Sequence, residues 1–311
     1  MEAERWIATT FAVFLLSAGA VFGSTYELDI FGVFHDPTGK RLSVHHNERT
    51  AKPLLNERYV PTNFDALLIG GSSTSNFPMS ALDFARFYNE SIYGGNAVEE
   101  KKLVDDALRS GRYRFAIFVI NPYIMQFHDF HEGIGSRTSH RWEALGSVNV
   151  LREEFYLAAG HLHHETSPFF PDGGQSMLYA DPPGRPKGIT DWTFAYDPIA
   201  LEAARAMLEN LRARGTRIIF METPVYEPVY EEHRAQFDRF YSEFPLRKPG
   251  EPLIDFNAQQ YAAFRADASR WADAPHLKDP SAALAAKELN QQIRAALPEL
   301  GPPRSHPPLA P

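Results

Sequence analysis

Two short segments of this 311-residue chain carry residue types that do covalent chemistry together. The first is Gly70-Gly71-Ser72-Ser73-Thr74, directly after the apolar run 64–69 (FDALLI). Glycines at the end of a buried strand let the backbone turn sharply. They can then present a hydroxyl beyond the carboxyl edge of a sheet, where open α/β sheets bind ligands. A serine hydroxyl is a poor nucleophile until a base removes its proton, so a serine site demands a histidine. The second segment supplies one, in Asp273-Ala274-Pro275-His276-Leu277. An aspartate three residues before a histidine can hold one imidazole nitrogen while the other faces the serine. Taken singly, each segment is commonplace: a polar turn and a chance D-x-x-H. Together they predict Ser72 as nucleophile, His276 as general base and then acid, and Asp273 as the residue that orients His276. Ser73 is the alternative nucleophile if the turn is shifted by one.

The other chemistry-bearing clusters are histidines. His128 and His131 stand three apart in HDFHEG, and His161, His163 and His164 crowd in HLHHE. Such groups can bind zinc, but the sequence has no HExxH, and zinc needs a convergence that spacing alone does not supply. Solvated loop histidines are the better account, and neither a metal nor another cofactor is expected. The chain has no cysteine, which removes disulfides, thiolate metal sites and a Cys nucleophile. A net charge of −8 disfavours a grip on nucleic acid, which needs clustered Lys and Arg facing phosphate.

The elements that must position Ser72 and His276 read as alternating strands and helices. Residues 64–69, 115–120 (FAIFVI), 217–221 (RIIFM) and 252–256 are short apolar runs suited to buried parallel strands. Helices are expected at 81–88, 96–109, 200–214, 230–244 and 281–297, with Asn96 as a cap, Glu99 at the third position and Gly111 beyond the end. Aromatics of 226–244 fit core packing at helical spacing better than a sugar cleft. Strands separated by such helices predict a three-layer α/β/α domain around a parallel sheet, spanning 63–300. Residues 161–198, with six Pro and four Gly, form a loop-rich insertion, and a loop of that length is usually functional or disordered. Residues 301–311 are expected to be a disordered tail.

Ahead of that domain, residues 6–23 (WIATTFAVFLLSAGAVFG) hold no charge. At about 1.5 Å per residue they are just long enough to cross a bilayer core. Ala18-Gly19-Ala20 also resembles a signal-peptide cleavage site, but residues 1–5 are a poor positive region and the apolar run continues past the site. An uncleaved transmembrane anchor is preferred, with 1–5 cytoplasmic and 24–62 a stalk and lead-in. Either reading puts the domain outside the cytoplasm.

Ser72 in GGSST and Asp273-x-x-His276 resemble the first and last blocks of the SGNH (GDSL-type) hydrolases. The run FDALLIGGSSTSNF further resembles a membrane-anchored bacterial branch with a Gly-x-Ser-x-Thr-x-Asn-Phe pattern, whose distant relatives O-acetylate alginate and peptidoglycan. The resemblance implies a flavodoxin-like α/β/α fold and an oxyanion hole built from three donors. These are Ser72 N–H, a glycine after the second strand (Gly94 or Gly95 in SIYGGN) and Asn121 in FVINPY. Gly71 replaces the acidic residue that often precedes the serine, and Asn121 lacks the usual Gly-x-Asn-Asp context. The implied function is a serine esterase or O-acyltransferase at the outer face of a bacterial inner membrane. It would act on an acylated envelope or exopolysaccharide glycan, with a membrane acyl-donor partner in the transfer case. The alternatives are an inactive scaffold or glycan-binding protein with the same fold, and a metal-dependent hydrolase built on the histidines.

Overall fold

Five short runs, almost wholly buried, make the sheet of the computed structural model, which describes residues 2–37, 47–126, 141–163, 169–176, 189 and 192–303. They are β1 (Ala66–Ile69), β2 (Phe87–Asn89), β3 (Phe115–Ile120), β4 (Arg217–Glu222) and β5 (Leu253–Asp255). Every residue of β1 and β3 is buried, and neither strand contains a polar side chain. That composition suits strands covered on both faces. All pairings are parallel, in the order β2-β1-β3-β4-β5.

The described helices are α1 (Glu2–Leu28), α2 (Glu48–Asn63), α3 (Ala97–Ser110), α4 (Arg141–Ala144), α5 (Val148–His163), α6 (Pro198–Ala213), α7 (Glu227–Glu232), α8 (Arg234–Ser242), α9 (Ala262–Ala266) and α10 (Asp279–Ala296). The connections from β2 to β3 to β4 all run in one direction across the sheet, so right-handed crossovers put α3 and α6 on one face. There they pack on each other, and α2 packs on α3. The reversed step from β1 to β2 lies on the other face, where α10 packs against the turn Met79–Ala81. The chain is thus a mixed α/β fold with a central parallel sheet flanked by helices, as its sequence pattern predicts. At β1 and β3 the strand order reverses direction, and this is where such sheets open a crevice at their carboxyl edge.

Local signals account for several elements. Asn96 caps α3, its side-chain oxygen accepting the N–H groups of Val98 at 3.0 Å and Glu99 at 3.1 Å. Asp197 does the same for α6, whose second residue is Ile199. Loss of such a cap costs about 1 kcal/mol.

Three sequence expectations are corrected. Residues 81–88 are not a helix: a single 3₁₀ turn, Met79–Ala81, leads into β2. Phe87 lies opposite Ala66 and Phe84 packs edge-on against Phe115, so pairing and aromatic burial override a short stretch of helical pattern. Residues 24–62 are not a stalk, because α1 runs to Leu28 and α2 buries Leu54 and Val60 completely within the domain core. The expected helix 230–244 is two helices. His233 leaves the α region at φ −114° and ψ 15°, and α7 starts earlier, at Glu227.

At the carboxyl end of β4, Glu222 is buried and faces Asp255. Burial first, and then the neighbouring Asp255 carboxyl, push its pKa up to about 9. The folded protein therefore holds this proton at neutral pH, whereas the unfolded chain releases it near the ordinary glutamate value. Its contribution to stability is complete below about pH 4.5 and is lost as pH rises through about 9, by at most ~1.4 kcal/mol per pH unit. Glu222→Gln is expected to raise the thermal midpoint at alkaline pH and to flatten its decline with pH. An unchanged slope in a thermal melt series would show that Glu222 does not carry this dependence.

Candidate active site

The serine turn is built by close packing. A Cβ on Gly70 would come within 2.7 Å of both Thr74 Oγ1 and Val119 Cγ2, so only glycine lets the chain turn here against β3. The chain then enters the 3₁₀ turn Ser72–Thr74, closed by Thr74 N–H donating to Gly71 O at 3.1 Å. Thr74 is fully buried, and its hydroxyl lies 2.8 Å from that of Ser91. Asn89 Nδ2 donates to the carbonyls of Thr74 at 2.9 Å and Ser75 at 3.2 Å. These bonds fix the turn from below and leave Ser72 at the carboxyl edge, beside the point where the strand order reverses.

The histidine arrives from the other end of the domain on a tight loop. Trp271 and Leu277 form an antiparallel bridge, and Ala272 N–H donates to His276 O at 2.9 Å. The loop is pinned from outside by Tyr226 N–H on Ala274 O at 2.9 Å and by the buried Trp271, whose Nε1–H donates to Arg265 O at 3.0 Å. Within it, Asp273 Oδ1 accepts the backbone N–H of His276 at 3.1 Å and lies 2.6 Å from His276 Nδ1. The spacing of three residues is what lets one carboxylate hold both the backbone and the ring of the same histidine. The remaining ring nitrogen, Nε2, lies 2.7 Å from Ser72 Oγ. With the carboxylate as acceptor, Nδ1 carries the proton and Nε2 is free to accept that of Ser72.

Asn76 ties the two segments together, its Nδ2 donating to Leu277 O at 2.8 Å and to Asp279 Oδ1 at 3.0 Å. One amide thus spans the serine turn and the start of α10.

A cavity of about 340 Å³ opens at this point, lined by Ser72, Gly94, Asn121, Asp273 and His276 and walled by Tyr123, Ile124, Ile189 and Trp192. Gly94 stands at φ 59°, a left-handed conformation that favours glycine. The structure separates the two candidate glycines. Gly95 N–H donates to Ile92 O at 3.2 Å, whereas Gly94 N–H donates to no backbone carbonyl among the described residues. Asn121 is buried, with its Oδ1 accepting Tyr123 N–H at 2.8 Å and its Nδ2 donating to Thr223 Oγ1 at 3.3 Å. This fixes the amide so that one N–H remains for the cavity. On the expectation that Asn121 is an oxyanion donor, Asn121→Ala should lower kcat for an ester by roughly 10²–10³ with little change in KM. A loss confined to KM in steady-state kinetics would count against that role.

The structure therefore brings Ser72, Asp273, His276, Gly94 and Asn121 to one cavity. Ser73 also lines it, but its side chain is buried and it is Ser72 that meets His276. Of the histidine clusters, His128, His131 and His164 lie outside the described residues, as do the side chains of His161 and His163 on α5. Sequence reasoning did not assign Asn76, Asn89 or Thr223 as supports. Thr74 and Asn76 stood in the Gly-x-Ser-x-Thr-x-Asn-Phe run, which was the available signal. Ile189 and Trp192 belong to the loop-rich insertion and carried no signal beyond its length.

No family model matches the chain, and no curated protein matches it. Solved structures similar to it include one from Streptococcus pneumonia, described provisionally as a platelet activating factor. It aligns with a TM-score of 0.42 at 14% identity, covering 80% of this chain and 90% of that one.

Proposed function

We propose that this protein is a serine-dependent acyl esterase or O-acyltransferase of the SGNH type. The observation that supports the reading best is the continuous chain from Ser72 Oγ to His276 Nε2 at 2.7 Å and from His276 Nδ1 to Asp273 Oδ1 at 2.6 Å. Both distances are within hydrogen-bond reach, which general-base activation of a serine requires. In the first half-reaction Ser72 Oγ attacks the ester carbonyl while its proton passes to His276 Nε2. The developing oxyanion faces the N–H groups of Ser72 and Gly94 and the amide of Asn121. As the carbonyl re-forms, the alkoxide leaves with the proton from His276, and the acyl group remains on Ser72. Water, or a hydroxyl of an acceptor, then attacks the acyl-serine by the same route in reverse.

The proposed compartment rests on α1. It has 27 residues with a mean hydropathy of 1.8 in its most apolar window, and none of that window is buried, so it is long and apolar enough to cross a membrane. We read it as an anchor with the domain outside the cytoplasm; a signal sequence would give the same compartment. An O-acylated envelope glycan is the substrate class implied by the resemblance to anchored envelope proteins, with a membrane acyl donor as partner if the reaction is transfer.

Fluorophosphonate labelling of the full-length protein in detergent tests the nucleophile directly. Wild type should be modified at Ser72 and Ser72→Ala should not be modified. Labelling at Ser73, or no labelling of a folded wild-type protein, would overturn the assignment and favour an inactive scaffold.

A further inference from the structure

Among the described residues, those that follow α1 turn directly into the domain core. Leu28 is followed by Asp29 at φ 39°, and the Asp29 carboxylate accepts the backbone N–H groups of Val33 at 2.7 Å, Phe34 at 3.1 Å and His35 at 2.7 Å. Ile30, Phe31 and Val33 are buried in the domain core. The direction in which α1 leaves the domain is therefore set by packing.

Helix α5 packs against α1, with Glu154 beside Thr25. The Phe22 ring occupies the space beside Gly146, where a Cβ would come within 2.3 Å of it. Trp142 lies 6.0 Å from Phe34, which in turn lies 5.3 Å from Tyr26. The outward side of α5 carries large apolar residues while its buried side holds two carboxylates. Glu153 and Glu154 lie on the buried side with Val150 and Leu157, whereas Val148, Asn149, Arg152, Phe155 and Ala158 point outward. Val148 is 71% exposed, Phe155 69% and neighbouring Trp142 62%. A helix on an aqueous surface turns its charges out and its apolar stripe in. Glu143 is the acidic residue that shares the exposed side of α4.

Length fixes the depth of this surface. At 1.5 Å per residue the uncharged run 6–23 spans ~27 Å, close to the ~30 Å of a bilayer's hydrocarbon. Phe22 then falls at the end of the hydrocarbon and Ser24 to Leu28 in the headgroup region, where Glu154 of α5 meets Thr25. We propose that the outward face of α5, together with Trp142, lies in the headgroup–acyl boundary of the bilayer that α1 crosses. This rests on the reading of α1 as a membrane span. Val148 and Phe155 bury apolar surface among the upper acyl chains, Trp142 takes the interfacial position that its ring prefers, and Arg152 reaches lipid phosphate. The domain is then seated on the membrane, which holds the mouth of the Ser72 cavity at a constant height above the lipid.

The absence of cysteine allows single labels without background. Full-length Leu16→Cys, Val148→Cys, Phe155→Cys and Glu202→Cys would each carry a nitroxide. The proteins would be reconstituted in vesicles of phosphatidylcholine and phosphatidylglycerol. Collisions with oxygen, which partitions into lipid, would be compared with those of a water-soluble nickel chelate. Labels at 148 and 155 are expected to fall between Leu16, near the middle of the span, and Glu202, with an oxygen-to-nickel ratio several-fold above that at Glu202, which is 73% exposed on α6. If 148 and 155 match Glu202 while Leu16 stays in lipid, the seat is wrong and the span stands. If Leu16 also matches Glu202, the span fails and the seat fails with it. Strong dipolar broadening between labels at 155 would instead assign this face to a second copy of the chain and overturn the proposal.

Discussion

Alanine at Ser72 or at His276 is expected to lower acyl-ester turnover by up to about a millionfold, and the double substitution is expected to be hardly worse than either alone. The reason lies in the proton path. Ser72 is nucleophilic only while Nε2, 2.7 Å away, can take its proton, so losing either group removes the same event. A residual rate above that of water should persist, because the donors around the cavity do not depend on the serine. Single-turnover kinetics on an aryl acetate, with circular dichroism to verify folding, measures this. Additive losses in the double variant would mean that Ser72 and His276 act separately, and unchanged turnover in both single variants would leave the site without a catalytic role.

The second large effect concerns Asp273. Asp273→Asn keeps the shape of the loop but exchanges an acceptor for an amide that can donate to His276 Nδ1. The imidazole proton then moves to Nε2, which faces Ser72 and can no longer accept from it. A loss of roughly 10⁴ in kcat is expected, with KM little changed. Asp273 Oδ1 accepts both the ring N–H and the backbone N–H of His276, so turning the amide nitrogen to Nδ1 also gives up the 3.1 Å backbone bond, and a thermal melt of the variant separates that loss from the change of tautomer. Proton NMR of the Nδ1–H resonance in wild type and variant would report the change of tautomer. A variant that keeps near-normal kcat would show that Asp273 only shapes the loop.

Both expectations depend on residues that were visible in the sequence, for a physical reason. The serine turn and the D-x-x-H loop each depend on local rules: a strand that must stop at glycine, and a carboxylate that reaches a group three residues on. The runs that form β1 and β3, and the apolar centre 218–221 of β4, were legible because a strand stretch buried on both faces has no polar positions. Asn96 was legible as a cap because it satisfies donors within its own first turn. The apolar α1 was legible because its composition requires no knowledge of its surroundings.

Tertiary structure alone decided what depends on partners distant in sequence. β2 exists because Phe87–Asn89 pairs with Ala66–Leu68, although its own residues read as a helix. The polar-looking α2 belongs to the core because its apolar residues meet α3, and Lys52 is buried where its ammonium can donate to the carbonyls of Asn89 at 2.5 Å, Ser91 at 2.8 Å and Gly173 at 3.1 Å. Gly94 was separated from Gly95 by its place in the wall of a cavity whose other sides are Ser72, Asn121 and His276. Asn76 acquires its role from Leu277 and Asp279, Thr223 from Asn121, and Trp192 from a cavity whose other walls lie on four strand ends and loops. The sequence named the proposed nucleophile, its proposed base and the membrane-length helix, because each obeys a local rule. It did not specify which groups hold them in place, or which face of α5 points outward, because those are properties of contacts between segments that the chain brings together only on folding.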